Sequence, residues 1–151
     1  MAQAQPSNEA QTLVINRQFS APPERVFAAL TRADEFAAWF GPEGVTVRNV
    51  QLDLRPGGAY RLEMHHADGS IYPLSGTYVE IDPSTRLVMT WIWGVGDYAD
   101  IETLVTIDLV VSGGGTALTL THENLYGIEA RDKHSGGWAG SFDCLDRHLA
   151  G

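Results

Sequence analysis

Between Val45 and Asn124, apolar residues return at every second position in one short run after another, and tight turns rich in glycine or proline separate most of the runs. "VTVRNVQLDL" ends at "RPGG", "AYRLEMHH" at "ADG" and "IYPLSGTYVEID" at Pro83-Ser84. "RLVMTWIWGV" follows, and "TLVTIDLVVS" turns through Gly113 to Gly115 into "TALTLTHEN". A period of two sends alternate side chains to opposite faces of an extended chain. Connections this short join antiparallel neighbours, because a parallel partner needs a long crossover. The segment therefore predicts one antiparallel meander, and a sheet face of that size has to be covered by something.

The flanking segments supply the cover. "TLVINRQFS" (Thr12 to Ser20) reads as a further strand, and "APPERVFAALT" as a short helix with Pro22 and Pro23 at its start and Val26, Phe27 and Leu30 as its apolar stripe. "RADEFAAWFGPEG" repeats the device with Phe36, Trp39 and Phe40 and stops at Gly41-Pro42. The chain closes with "HSGGWAGSFDCLDRHLAG", in which His134, Trp138, Phe142, Leu145 and Leu149 fall on one helical face while Asp143, Asp146 and Arg147 lie elsewhere. These features predict an α+β fold: a curved antiparallel sheet wrapped around one long C-terminal helix, with two short helices after the first strand. Gly136 and Gly137 are expected near the helix start, where small residues permit close backbone approach.

Alternation assigns faces within the sheet. Val105, Ile107, Leu109 and Val111 share one side of their strand, as do Leu118, Leu120 and His122 of the next, and both stripes are expected to face the core. Leu87, Met89, Trp91 and Trp93 alternate too, but Val88 and Ile92 between them are also apolar, which suits a strand covered on both sides.

A chain of 151 residues fits one domain that buries roughly two-thirds of its unfolded surface. Residues 12–151 form that domain, and the polar start, "MAQAQPSNEAQ" (residues 1–11), reads as a disordered tail without the basic and apolar regions of a secretory signal. No run is long and apolar enough to span a membrane. The single cysteine, Cys144, cannot form an internal disulfide, which agrees with a reducing, cytoplasmic setting. A formal net charge of -9 with an isoelectric point near 4.8 argues against nucleic acid and anionic membranes as partners.

Catalytic and metal signatures are missing from the sequence. There is no G-x-S-x-G, H-E-x-x-H, Walker loop or dinucleotide fingerprint, and the glycines at 113–115 sit in a strand-to-strand turn. His65-His66, with Glu63 on the face of His65, lacks a third metal ligand and suits a solvated hairpin end. Cys144 lies about 120° from the apolar stripe of the last helix and has no evident partner base. His122 and His134 are expected to point into the interface of helix and sheet. No catalytic residue, metal or cofactor is assigned.

The quoted segments "APPERVFAALT", "WFGPEG", "DLRPGGAYRLEM", "DGSIYPLSGTYVEIDPSTRLVMTWIW", "GGGTALTLTHENL" and "HSGGW" resemble the family of the activator of heat-shock protein 90 ATPase in its single-domain bacterial form. The element order is similar to the helix-grip fold of the wider START and birch-pollen-allergen (SRPBCC) superfamily. The likeness covers about Thr12 to Leu149. It implies a cavity between sheet and terminal helix that takes an apolar small molecule such as a lipid, polyketide or aromatic. Trp39, Phe40, Tyr60, Met64, Tyr78, Trp91, Trp93, His122, Trp138 and Phe142 would line it. Binding or sequestration is the reading favoured. A cyclase- or hydratase-type enzyme using His122, Tyr78 or Glu123 is an alternative, as is a chaperone-interaction protein, although the eukaryotic activators carry an additional domain before this one. The sequence leaves the oligomeric state open, a homodimer included.

Overall fold

The structure, a computed structural model, describes residues 11–151. Of the tail expected over residues 1–11, only Gln11 falls within the described residues. Two short helices follow the first strand, six strands come next, and a long helix ends the chain: β1 (Leu13–Phe19), α1 (Pro23–Thr31), α2 (Ala33–Trp39), β2 (Val45–Leu52), β3 (Ala59–His66), β4 (Ile71–Asp82), β5 (Arg86–Trp93), β6 (Glu102–Ser112), β7 (Gly115–Glu123) and α3 (Ile128–Ala150). The strands make one antiparallel seven-stranded sheet in the order β1-β7-β6-β5-β4-β3-β2. Consecutive chain segments β1 and β2 thus form opposite edges, and α1 and α2 carry the chain from one edge to the other. β2 through β7 then return as the meander the alternation predicted.

Register irregularities between Arg48 and Gln51 on β2 and between Tyr78 and Glu80 on β4 add local twist and curl the sheet. α3 lies in the resulting concavity. It buries Trp138, Phe142 and Leu145 against inward residues such as Leu118, Leu120, Val105 and Ile107, which together form one hydrophobic cluster. This is the helix-grip α+β fold. Polar contacts fix the helix from outside: Arg17 of β1 pairs with Asp143, and Glu35 of α2 accepts from Arg25 of α1 at 2.6 Å and meets His148 at 2.9 Å. Among the described residues no helix is long and apolar enough to cross a membrane.

Three local expectations are corrected. Val111 is 71% exposed, so the core stripe of β6 ends at Leu109; β5 stops pairing at Arg86↔Asp108, and the β6–β7 hairpin continues past it to its turn at Ser112↔Gly115. α3 begins at Ile128 rather than near His134, because its first turns, "IEARDK", carry little apolar signal beyond the buried Ala130. Gly136 and Gly137 are therefore mid-helix, where each costs roughly 1 kcal/mol relative to alanine. Neither approaches backbone closely: a Cβ at either position would meet nothing within 4 Å, whereas one at Gly140 would sit 2.8 Å from the Pro42 side chain. On β5 the inward face is that of Leu87, Met89 and Trp91, and Val88 on the other face is buried as well.

Candidate ligand-binding site

A cavity of about 340 Å³ opens between the concave face and the first half of α3. Met64 and His66 of β3, Tyr72 of β4, and Trp91 and Trp93 of β5 form the sheet wall. Lys133, His134, Gly137, Trp138 and Ser141 form the helix wall, at the three- and four-residue spacing of a single helical face. Phe40 and Pro42, together with Val95 to Tyr98 of the β5–β6 loop, complete the lining. Gly41 N–H donates to Ser141 Oγ at 3.2 Å and ties the α2–β2 loop to the helix.

Behind the aromatic wall runs a chain of hydrogen bonds whose polarity is fixed by its ends. An indole N–H can only donate, so Trp138 Nε1 gives its hydrogen to His122 Nδ1 at 3.1 Å. His122 must then carry its proton on Nε2 and donate to Thr103 Oγ1 at 2.8 Å, and the threonine hydroxyl donates onward to the Trp91 carbonyl at 3.0 Å. Burial, with the neighbouring His134 adding to it, pushes the His122 pKa down to about 3. His134 follows the same logic with the other tautomer. Its Nε2 accepts from Trp93 Nε1 at 3.0 Å and its Nδ1 donates to the Ala130 carbonyl at 2.7 Å. Burial holds its pKa below the ordinary value, against the opposing effect of the Ala130 hydrogen bond. Both imidazoles are thus neutral near pH 7, and both lone-pair nitrogens are occupied by tryptophans. Neither has a free nitrogen with which to take a proton from a bound molecule.

Of the residues that the sequence assigned to the lining, Phe40, Met64, Trp91, Trp93 and Trp138 border the cavity. Trp39, Tyr60, Tyr78, His122 and Phe142 are not among its lining residues; they are buried in the layer around it. Trp39 donates to the Ala29 carbonyl at 2.8 Å, Tyr60 donates to the Thr90 carbonyl at 2.5 Å, and Phe142 packs on Trp138 with ring centroids 5.4 Å apart. Burial raises the pKa of Tyr60 and Tyr78 alike. Trp91 Nε1 is buried and has no hydrogen-bond partner among the described residues.

Several lining residues were missed, and two of them carried a signal. His66 shares the strand face of Met64, and Tyr72 that of Tyr78, by simple alternation. His66 accordingly belongs to the cavity wall, edge-on to Tyr72 at 4.9 Å, rather than to a solvated hairpin end. His65 faces the other way and bonds Glu63 at 3.0 Å. Among the described residues no three His, Cys, Asp or Glu side chains are placed to hold a metal ion. The loop residues Val95 to Tyr98 have no periodicity from which their position could be read.

A curved sheet gripping a terminal helix around a small aromatic cavity defines the helix-grip class. Within it, the chain belongs to the family described as Activator of Hsp90 ATPase homolog 1-like protein, whose model matches residues 20–150. It is similar to the solved AHSA1 protein of Silicibacter pomeroyi, at 29% identity and a TM-score of 0.83, over 92% of this chain and 97% of that one. A Chromobacterium violaceum protein, CV1439, is similar at 28% identity and a TM-score of 0.83, over 92% and 96% of the two chains. A Rhodobacter sphaeroides protein matches at 28% identity and a TM-score of 0.80, over 93% of each chain. No curated protein matches the chain.

Proposed function

We propose that the protein binds and holds a compact apolar or aromatic small molecule in the cavity between the sheet and α3. The observation that carries this reading is the cavity of about 340 Å³ itself, walled by Trp91, Trp93, Trp138, Phe40 and Tyr72. It lies toward the small end of the roughly 300–1,000 Å³ of small-molecule sites, which are mostly apolar with a few placed polar groups. Here Tyr72, Tyr98, His66 and Lys133 supply those groups at the wall and rim. Binding is favoured over catalysis because both buried imidazoles are committed as acceptors to indole N–H groups. The test is a thermal-shift screen of compact aromatics, with indole fluorescence as the second readout; absence of any stabilising compound would reject the reading.

The description shared by the family favours a second reading, activation of a chaperone ATPase. Titrating the purified protein into its host's chaperone tests it. On the binding reading no stimulation is expected, and a saturable several-fold rise in ATPase rate would reverse the order of the two.

A further inference from the structure

We propose that Gly137 is the residue that sets which occupants the cavity admits, by keeping a strip of bare helix backbone free for a flat aromatic ring system. The inference rests on the cavity reading above and adds to it a specificity-determining position and the shape of the ligand.

Gly137 lies midway along α3 in ordinary helical backbone, so no left-handed conformation requires a glycine there. Close packing does not require it either, since a Cβ would meet nothing within 4 Å. Gly140, one turn on, is different: its Cβ would collide with Pro42 at 2.8 Å, which is reason enough for a glycine. A glycine in a helix interior exposes backbone and loses stability relative to alanine, and at position 137 no conformational or packing need offsets that loss. What it does leave is space. Lys133 and Ser141 lie one turn before and after Gly137 on the same face, with His134 and Trp138 beside it, and all line the cavity. Gly137 is therefore the centre of the helix wall. A side chain at this position would project into the room the occupant needs.

The shape of that room follows from its walls. Trp138 and His134 flank the bare strip, and Trp93 stands edge-on to both Tyr72 and Trp91, with interplanar angles of 86° in each case. A planar aromatic molecule can lie against exposed backbone while its edges meet these rings, and aromatic pairs favour such offset and edge-to-face contacts. Gly136 provides an internal control. It is exposed, lies outside the lining, and likewise has open space at its Cβ.

The experiment compares wild type, Gly136→Leu and Gly137→Leu for binding of 8-anilinonaphthalene-1-sulfonate by fluorescence, with thermal melts of Gly136→Ala and Gly137→Ala alongside. Gly137→Leu should weaken binding by about tenfold or more, the effect of overfilling a fitted space, while Gly136→Leu binds like wild type. Both alanine variants should melt at or above the wild-type temperature. Equal affinity of the two leucine variants and wild type would overturn the role of Gly137 while leaving the binding reading standing. A lowered melting temperature for Gly137→Ala alone would also overturn it, by showing that the glycine serves packing. Absence of saturable dye binding by wild type would overturn this inference, and the screen of compact aromatics then decides the cavity reading by itself.

Discussion

His122 carries no side-chain exposure, yet it is a polar group with two hydrogen-bonding nitrogens, and the interior tolerates it because both are satisfied. Its alternation with Leu118 and Leu120 made the inward direction legible in the sequence. The tautomer and the partners were not legible, since Trp138 and Thr103 reach it from other elements. The pH dependence of stability follows from this burial. The imidazole has an ordinary value of 6.5 and a folded-state value near 3, so between those limits the unfolded chain holds more protons than the folded one. Stability is therefore fully present above the upper limit and falls as pH drops through the window, by up to about 1.4 kcal/mol per pH unit from this residue. His134, shifted in the same direction, adds to the slope. Denaturant melts at neutral pH and at pH near 5 should differ by roughly 2 kcal/mol; a flat profile would mean that these imidazoles are not buried in neutral form. Trp138→Phe removes the indole donor to His122 Nδ1 and should cost about 1–3 kcal/mol, and Trp138→Ala about 3–5 kcal/mol, read from the same melts.

At the scale of elements, strands and helices differed in how clearly the sequence announced them. Most strands alternate over much of their length and are bounded by turn residues, so all seven were legible to within a few positions even where β2 and β4 slip register and β5 is apolar on both faces. The two short helices were legible from Pro23, Val26, Phe27 and Leu30 in one and Phe36 and Trp39 in the other, all of which are buried. The start of α3 was not, because Ile128 to Lys133 face mostly outward and the apolar stripe on which the reading depended begins only with His134 and Trp138. That misplacement hid the meaning of the glycines. Three glycines inside one helix have different surroundings, and alanine substitution separates them. Gly136→Ala should stabilise by up to about 1 kcal/mol through helix propensity alone. Gly140→Ala should destabilise, because its Cβ lies 2.8 Å from Pro42 and the α2–β2 loop would have to move. Chemical denaturation of the pair decides this, and stabilisation by both would show that the loop gives way without cost.

The cavity exists only at the scale of the whole molecule, since its walls come from β3, β4, β5, α3 and two loops that the curl of the sheet brings together. This is why the sequence pointed to an aromatic interior but could not separate residues that border the cavity from residues packed behind it. Trp91 and Trp39 are equally buried, and only the placement of α3 puts the first on the wall and the second under α1. The same geometry fixes how occupancy should be read. Three of the four tryptophans of the chain line the cavity, so a bound aromatic should quench or shift the indole emission directly. A ligand at one hundred times its dissociation constant should raise stability by about 2.7 kcal/mol. Trp93→Leu should weaken that effect in two ways, by removing an aromatic wall and by leaving His134 Nε2 without its donor. Tyr126→Ala, at a residue 75% exposed and outside this lining, should leave it unchanged. Equal stabilisation of wild type and Trp93→Leu by the same compound would place its binding elsewhere on the molecule, because a ligand seated against β5 cannot lose that indole without losing contact area and orientation together.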